Sequence, residues 1–167
     1  MKTTARIAAL AAVALGSLTP VGSASADPLP QGSFRIKSEY LQRCAQVDQN
    51  DYLISAGCGS VDRQRWLYSP RDHTIVSEAP DLAGKCLTTP GDFDPEESLK
   101  MSPCTKDPAG QQWKRIVVTD RGRTTTALQL ESSYGRPLAV RPRASGRWMV
   151  VAYTDTQTNM SFPGGYS

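Results

Sequence analysis

Short runs along this chain alternate apolar and polar side chains. Phe34-Arg35-Ile36-Lys37, Tyr52-Leu53-Ile54, Thr74-Ile75-Val76 and Leu99-Lys100-Met101 are such runs, followed by Arg115-Ile116-Val117-Val118, Ala127-Leu128-Gln129-Leu130 and the segment from Trp148 to Tyr153. A period of two is the signature of a strand with one face buried. No stretch carries an apolar face at helical spacing. Gly, Pro, Asp and Ser separate the runs, so the pattern predicts many short strands joined by turns, as in a barrel or sandwich.

A second regularity lies over the first. Cys44, Cys58 and Gln64-Arg65-Trp66 are followed, about 45 residues on, by Cys86, Cys104 and Gln111-Gln112-Trp113. The cysteines stand 14 and then 18 residues apart, and the second cysteine precedes the tryptophan by 8 and then 9. A period of this size means one supersecondary unit used several times. Each copy divides into four strands: near Phe34–Ser38, Cys44–Val47, Leu53–Ala56 and Arg65–Tyr68, then near Thr74–Glu78, Cys86–Thr89, Leu99–Ser102 and Gln112–Val118. The same ruler finds a third copy without cysteines. It begins at Leu128–Glu131 and puts Pro137 and Tyr153 in the cysteine places and Phe162 in the tryptophan place. Twelve strands closed by threefold repetition leave no sheet edge. Trp66, Trp113 and Phe162 are the expected interior aromatics. The Gln two residues before each tryptophan is expected to bond backbone that the turn leaves unpaired.

Residues 1–26 read as a secretory signal peptide: Lys2 and Arg6, an apolar run from Ile7 to Leu18, then Ala24-Ser25-Ala26. The remaining 141 residues suffice for one domain with one core, here 34–167 behind an extended Pro-rich tail, 27–33. Net charge falls from +3 to +1 on cleavage, which argues neither for nucleic acid nor for a membrane surface, and no later segment is apolar enough for membrane insertion. The expected setting is extracellular, as a monomer when alone. Four cysteines there should be oxidised. They allow three pairings, between which sequence alone does not choose; the repeat suggests Cys44–Cys58 and Cys86–Cys104, one bridge per copy.

Repeated Cys…Cys…Gln-x-Trp resembles the ricin B-type (R-type) lectin repeat, most closely at Gly84-Lys85-Cys86-Leu87-Thr88-Thr89 with Gln111-Gln112-Trp113. The resemblance implies an all-β fold, the β-trefoil, over about residues 34–165. It also implies a non-catalytic carbohydrate-binding module. Sugar-binding copies of that family carry an Asp two residues after the first cysteine, a stacking aromatic about two residues before the second, and an Asn before the Gln. Here the Asp positions hold Gln46, Thr88 and Ala139, and the aromatic positions hold Ala56, Ser102 and Val151. The Asn positions hold Arg63, Gly110 and Asn159. Gln46 with the nearby Asp48, and Asn159, are therefore the candidate ligand-binding residues, at the family's own site or at one shifted from it.

Other residues point elsewhere. His73, the sole histidine, sits between Asp72 and Thr74 and reads as a turn residue; with the cysteines bridged and no other base, no catalytic residue is expected. Asp92, Asp94, Glu96 and Glu97 form an acidic loop without the spacing of a calcium site, and no metal or other cofactor is expected. The Pro90–Pro95 loop is the one candidate for a protease-inhibitor loop. Arg141, Arg143 and Arg147 beside Trp148 suggest a docking surface for a secreted protein partner, which makes an adaptor or toxin subunit the alternative to a glycan binder.

Overall fold

The computed structural model describes residues 28–89, 98–105, 110–120, 123–131, 138–143, 147, 149–153 and 159–163. The predicted signal peptide, the acidic loop with Pro90–Pro95, and Trp148 lie outside them. Among the described residues, twelve strands form three four-stranded antiparallel sheets. In the first, β1 (Lys37–Ser38), β2 (Arg43–Val47) and β3 (Leu53–Ala56) are joined by the last strand, β12 (Met160–Ser161), in the order β12-β1-β2-β3. The second runs β4 (Trp66–Ser69), β5 (Thr74–Ser77), β6 (Lys85–Thr88), β7 (Lys100–Pro103). The third contains β8 (Trp113–Asp120), β9 (Arg123–Leu130), β10 (Leu138–Pro142) and β11 (Met149–Tyr153), in the order β11-β10-β9-β8. Each sheet thus takes the closing strand of one copy and the first three strands of the next. The chain's two ends meet in the first sheet, where Lys37 pairs with Ser161 and Ser38 with Met160.

Strand register fixes which residues are equivalent. Trp66 lies opposite Ser77, Trp113 opposite Leu130, and Met160 opposite Ser38. The residue before each of these three accepts a backbone bond from a glutamate: Arg65 O from Glu78 N at 3.0 Å, Gln112 O from Glu131 N at 2.9 Å, Asn159 O from Glu39 N at 2.9 Å. The third copy's counterpart of the tryptophan is therefore Met160, not Phe162. Met160 is buried, whereas Phe162 is half-buried and packs edge-on against Phe34 with centroids 6.2 Å apart. A flexible thioether fills the slot that an indole fills elsewhere. The first-cysteine place moves likewise. Val76 pairs with Cys86 as Gln129 pairs with Ala139, so Ala139 takes that place rather than Pro137. Cys44 lies opposite Ala56 and Cys86 opposite Ser102, two residues short of each second cysteine, while Ala139 lies opposite Ala152. The second-cysteine place therefore falls beyond Tyr153, outside the described residues.

Ile36, Ile75 and Leu128 are equivalent by the same register and are fully buried in one core with Phe34, Leu87, Val140, Trp66 and Trp113. Leu53, Leu99 and Met149 form a second buried triad. Their backbones are linked as well, Leu53 N to Leu99 O at 2.8 Å and Leu99 N to Met149 O at 3.0 Å. Both suggested disulfides are present, Cys44–Cys58 and Cys86–Cys104, and no described cysteine is free. The segment ahead of β1 is not a loose tail. Leu29 is 3 % exposed and joins the core, and Ser33 Oγ donates to Glu78 Oε2 at 2.8 Å. An isolated Leu among prolines has no periodicity to announce its burial.

The core is less filled in the first copy. Where the second has Leu87 opposite Met101, the first has Ala45 opposite Ser55. The Trp113 indole N–H donates to Leu87 O at 2.9 Å. Trp66 Nε1 and Ser55 Oγ are buried and find no partner among the described residues.

Candidate functional site

The Gln of each Gln-x-Trp organises its copy, and it does so with side chain and backbone together. In the first, Gln64 Oε1 accepts from Gly59 N at 2.8 Å, and Nε2 donates to Gly57 O at 2.7 Å and to Gln46 Oε1 at 2.8 Å. In the second, Gln111 Oε1 accepts from Thr105 N at 3.0 Å, and Nε2 donates to Pro103 O at 3.0 Å and to Thr88 Oγ1 at 2.9 Å. Each amide pins the backbone on both sides of the second cysteine. Its remaining donor positions the side chain two residues after the first cysteine. The expected backbone role is present, and a role in orienting the ligand-facing residue is added to it.

In the first copy that residue is Gln46. Its Oε1 is held by Gln64, and no described residue takes its Nε2 donors, which leaves them for the outer face of the β2–β3 hairpin. Register puts Gln46 opposite Ile54. Two residues on, Asp48 faces Tyr52, joined by Asp48 N to Tyr52 O at 2.9 Å. Asp48 Oδ1 accepts from Asn50 N at 2.9 Å and Tyr52 N at 3.0 Å, which fixes the carboxylate in an Asx-type turn. Residues two apart on paired strands share a face, so Gln46, Asp48, Ile54 and Tyr52 do. Tyr52 is 39 % exposed. An aromatic is thus present, four residues earlier on the hairpin than the family position that holds Ala56. Residue-by-residue transfer missed it; only the period-two face of the hairpin could have found it.

Arg63 stands in the family's Asn position. It does not face outward alone: Nη1 donates to Asp48 O at 2.7 Å, and Nη2 is bonded to the Asp81 carboxylate. Asp51, held in the left-handed region at φ 67°, places its carboxylate 2.5 Å from Lys85 Nζ. The rim of this face is consequently made of paired charges from two copies.

The second copy is closed. Thr88 Oγ1 donates to Cys86 O at 2.8 Å and accepts from Gln111, so its one donor is turned inward. Gly110, in the Asn position, accepts from Thr89 N at 2.9 Å, and a Cβ there would lie 2.9 Å from Thr89 O. In the third copy the corrected register puts Arg141, not Ala139, in the place of Gln46 and Thr88. Asn159 is then the residue directly before the tryptophan place. Its Oδ1 accepts from Thr126 N at 3.4 Å on β9. Arg141 is half-buried, while Arg143 and Arg147 are exposed; Arg147 O accepts from Ser55 N at 2.6 Å.

His73 adopts φ 57° in a turn, stacks on Tyr68 and meets Glu131 Oε2 at 2.8 Å through Nδ1. Burial, reinforced by the Glu131 carboxylate, pushes the Tyr68 phenol up from its ordinary value. No group of three or more potential metal ligands occurs among the described residues, and no helix there is long and apolar enough to cross a membrane.

A family model, the ricin-type beta-trefoil lectin domain, matches residues 31–147. The chain belongs to that family. Among solved structures, the designed threefold-symmetric protein ThreeFoil superposes with a TM-score of 0.64 at 14 % identity, over 80 % of this chain and 99 % of its own. The Macrolepiota procera ricin B-like lectin, solved with lactose, gives a TM-score of 0.62 at 11 % identity, over 82 % of this chain and 99 % of that one. The β-trefoil lectin of the Vibrio vulnificus hemolysin/cytolysin, solved with N-acetyl-D-lactosamine, gives 0.56 at 14 % identity, over 78 % and 93 %. At such identities these likenesses establish the trefoil fold alone. No curated protein matches the sequence.

Proposed function

We propose that this family member is an exported, non-catalytic carbohydrate-binding module that holds a sugar on the outer face of the β2–β3 hairpin. The carrying observation is the relay from Gln64 to Gln46, which fixes a neutral amide beside the turn-locked Asp48 and the exposed Tyr52 ring. Amide donors and carboxylate acceptors suit vicinal hydroxyls, and an aromatic ring suits the C–H face of a pyranose. Family membership supports the ligand class. The leader-like residues 1–26 and the two disulfides support export. Trp148, on which the protein-binding alternative rests, lies outside the described residues.

The test is a glycan array followed by calorimetry on the oxidised protein. Tyr52→Ala and Gln46→Ala should each weaken the best neutral-sugar ligand at least about tenfold. Silence across the array, or binding indifferent to both substitutions, would overturn the reading.

A further inference from the structure

Charge is segregated along this chain. Residues 27–120 carry eleven Lys and Arg against fourteen Asp and Glu, whereas residues 121–167 carry six arginines against two carboxylates, Glu131 and Asp155. Glu131 is engaged by His73. Strand register puts Arg141 in the position that presents Gln46 in the first copy, and Arg143 follows two residues later, just past the end of β10. Arg143 and Arg147 are exposed.

We propose that the third copy is a second subsite, which takes the anionic groups of an acidic polysaccharide. A guanidinium has five donors and no acceptor, in a planar fork that matches a carboxylate or a sulfate. An arginine in the Gln46 position therefore cannot accept a hydroxyl proton, as the family's Asp does, but can grip a charged substituent. Half-burial restricts Arg141, and the two exposed arginines widen the target along a polymer. The inference rests on the glycan-binding reading for the class of polymer, but not for the site.

Binding of the oxidised protein to polygalacturonate, heparin, dextran and duplex DNA is measured by calorimetry at low and high salt. The acidic polysaccharides should bind, with affinity falling steeply as salt screens the charges. Arg143→Gln with Arg147→Gln, both at exposed positions, should weaken them about fivefold to tenfold, and Arg141→Gln should weaken them further. Neutral-sugar binding at the hairpin should persist in the Arg143→Gln/Arg147→Gln protein, which separates failure of the hairpin site from failure of this one. Binding of heparin alone supports a sulfate site, and of polygalacturonate alone a carboxylate site. Absence of binding to both, indifference to the double substitution, or equal affinity for DNA would overturn the proposal.

Discussion

Gln64→Ala removes three hydrogen bonds at once. Gln64 is 1 % exposed, and its amide accepts from Gly59 N and donates to Gly57 O and Gln46 Oε1 at 2.7–2.8 Å. Each bond contributes about 1 kcal/mol net, and a buried group left without a partner costs more, so the loss should be about 3 to 5 kcal/mol. The Cys44–Cys58 bridge keeps the turn from moving away to find water. For a domain of this size the melting temperature should fall by about 10 to 15 °C. Gln46→Ala breaks only the outermost bond and should cost about 1 kcal/mol. Urea titration of both single variants and the double variant closes a cycle, whose coupling should be about 1 kcal/mol. A cost below about 1 kcal/mol for Gln64→Ala, or zero coupling, would refute the view that this amide joins the turn to the ligand face.

Ser55→Ala should raise stability by about 1 kcal/mol in thermal melts, because the hydroxyl is buried without a partner among the described residues; a lower melting temperature would show that the hydroxyl is satisfied. Gly110→Asn, which restores the family's residue, should destabilise by about 2 kcal/mol, since its Cβ would meet Thr89 O at 2.9 Å. An unchanged urea midpoint would contradict that. The Ser161 hydroxyl, then the Gln42 amide and Lys37, hold the Glu39 carboxyl below its ordinary 4.5 against a smaller opposing effect of burial. Its contribution is therefore present above pH 4.5 and lost as pH falls through the lower folded value. Ser161→Ala should flatten the decline of melting temperature with acid; an identical acid limb would remove Glu39 from the account.

The repeat made most of the fold readable because cysteine and tryptophan are rare and their spacing survives in two copies. In the third copy both markers are gone, and an aromatic is the most conspicuous residue left at that spacing. Phe162 lay at an acceptable distance, but Met160 occupies the slot, since burial asks for volume and apolarity rather than an aromatic ring. That displacement of two residues turned Ala139 into the apparent ligand position and hid Arg141. It also made Asn159 look like the family's Asn, although its side chain meets β9. Gln46 and Asp48 were legible from the bridged first copy. Tyr52 and Arg63 join them only once pairing across the hairpin is known, because their nearness to Asp48 is set by register rather than sequence position. Leu29 is buried by tertiary contact, which no local pattern encodes.

The linked backbones of Leu53, Leu99 and Met149 carry a consequence for how the chain reaches its native state. These residues belong to three different copies, about 45 to 50 residues apart, and Leu53 N and Leu99 N bond across those gaps. In a linear array each repeat can order against its neighbour, and nucleation can start anywhere. Here the centre closes only when the last copy has arrived, so loop-closure entropy is spent before these contacts form. Folding should therefore be slow and all-or-none. A chain cut after the second copy would lose both disulfide-bridged lobes with the third, rather than keep two-thirds of a protein.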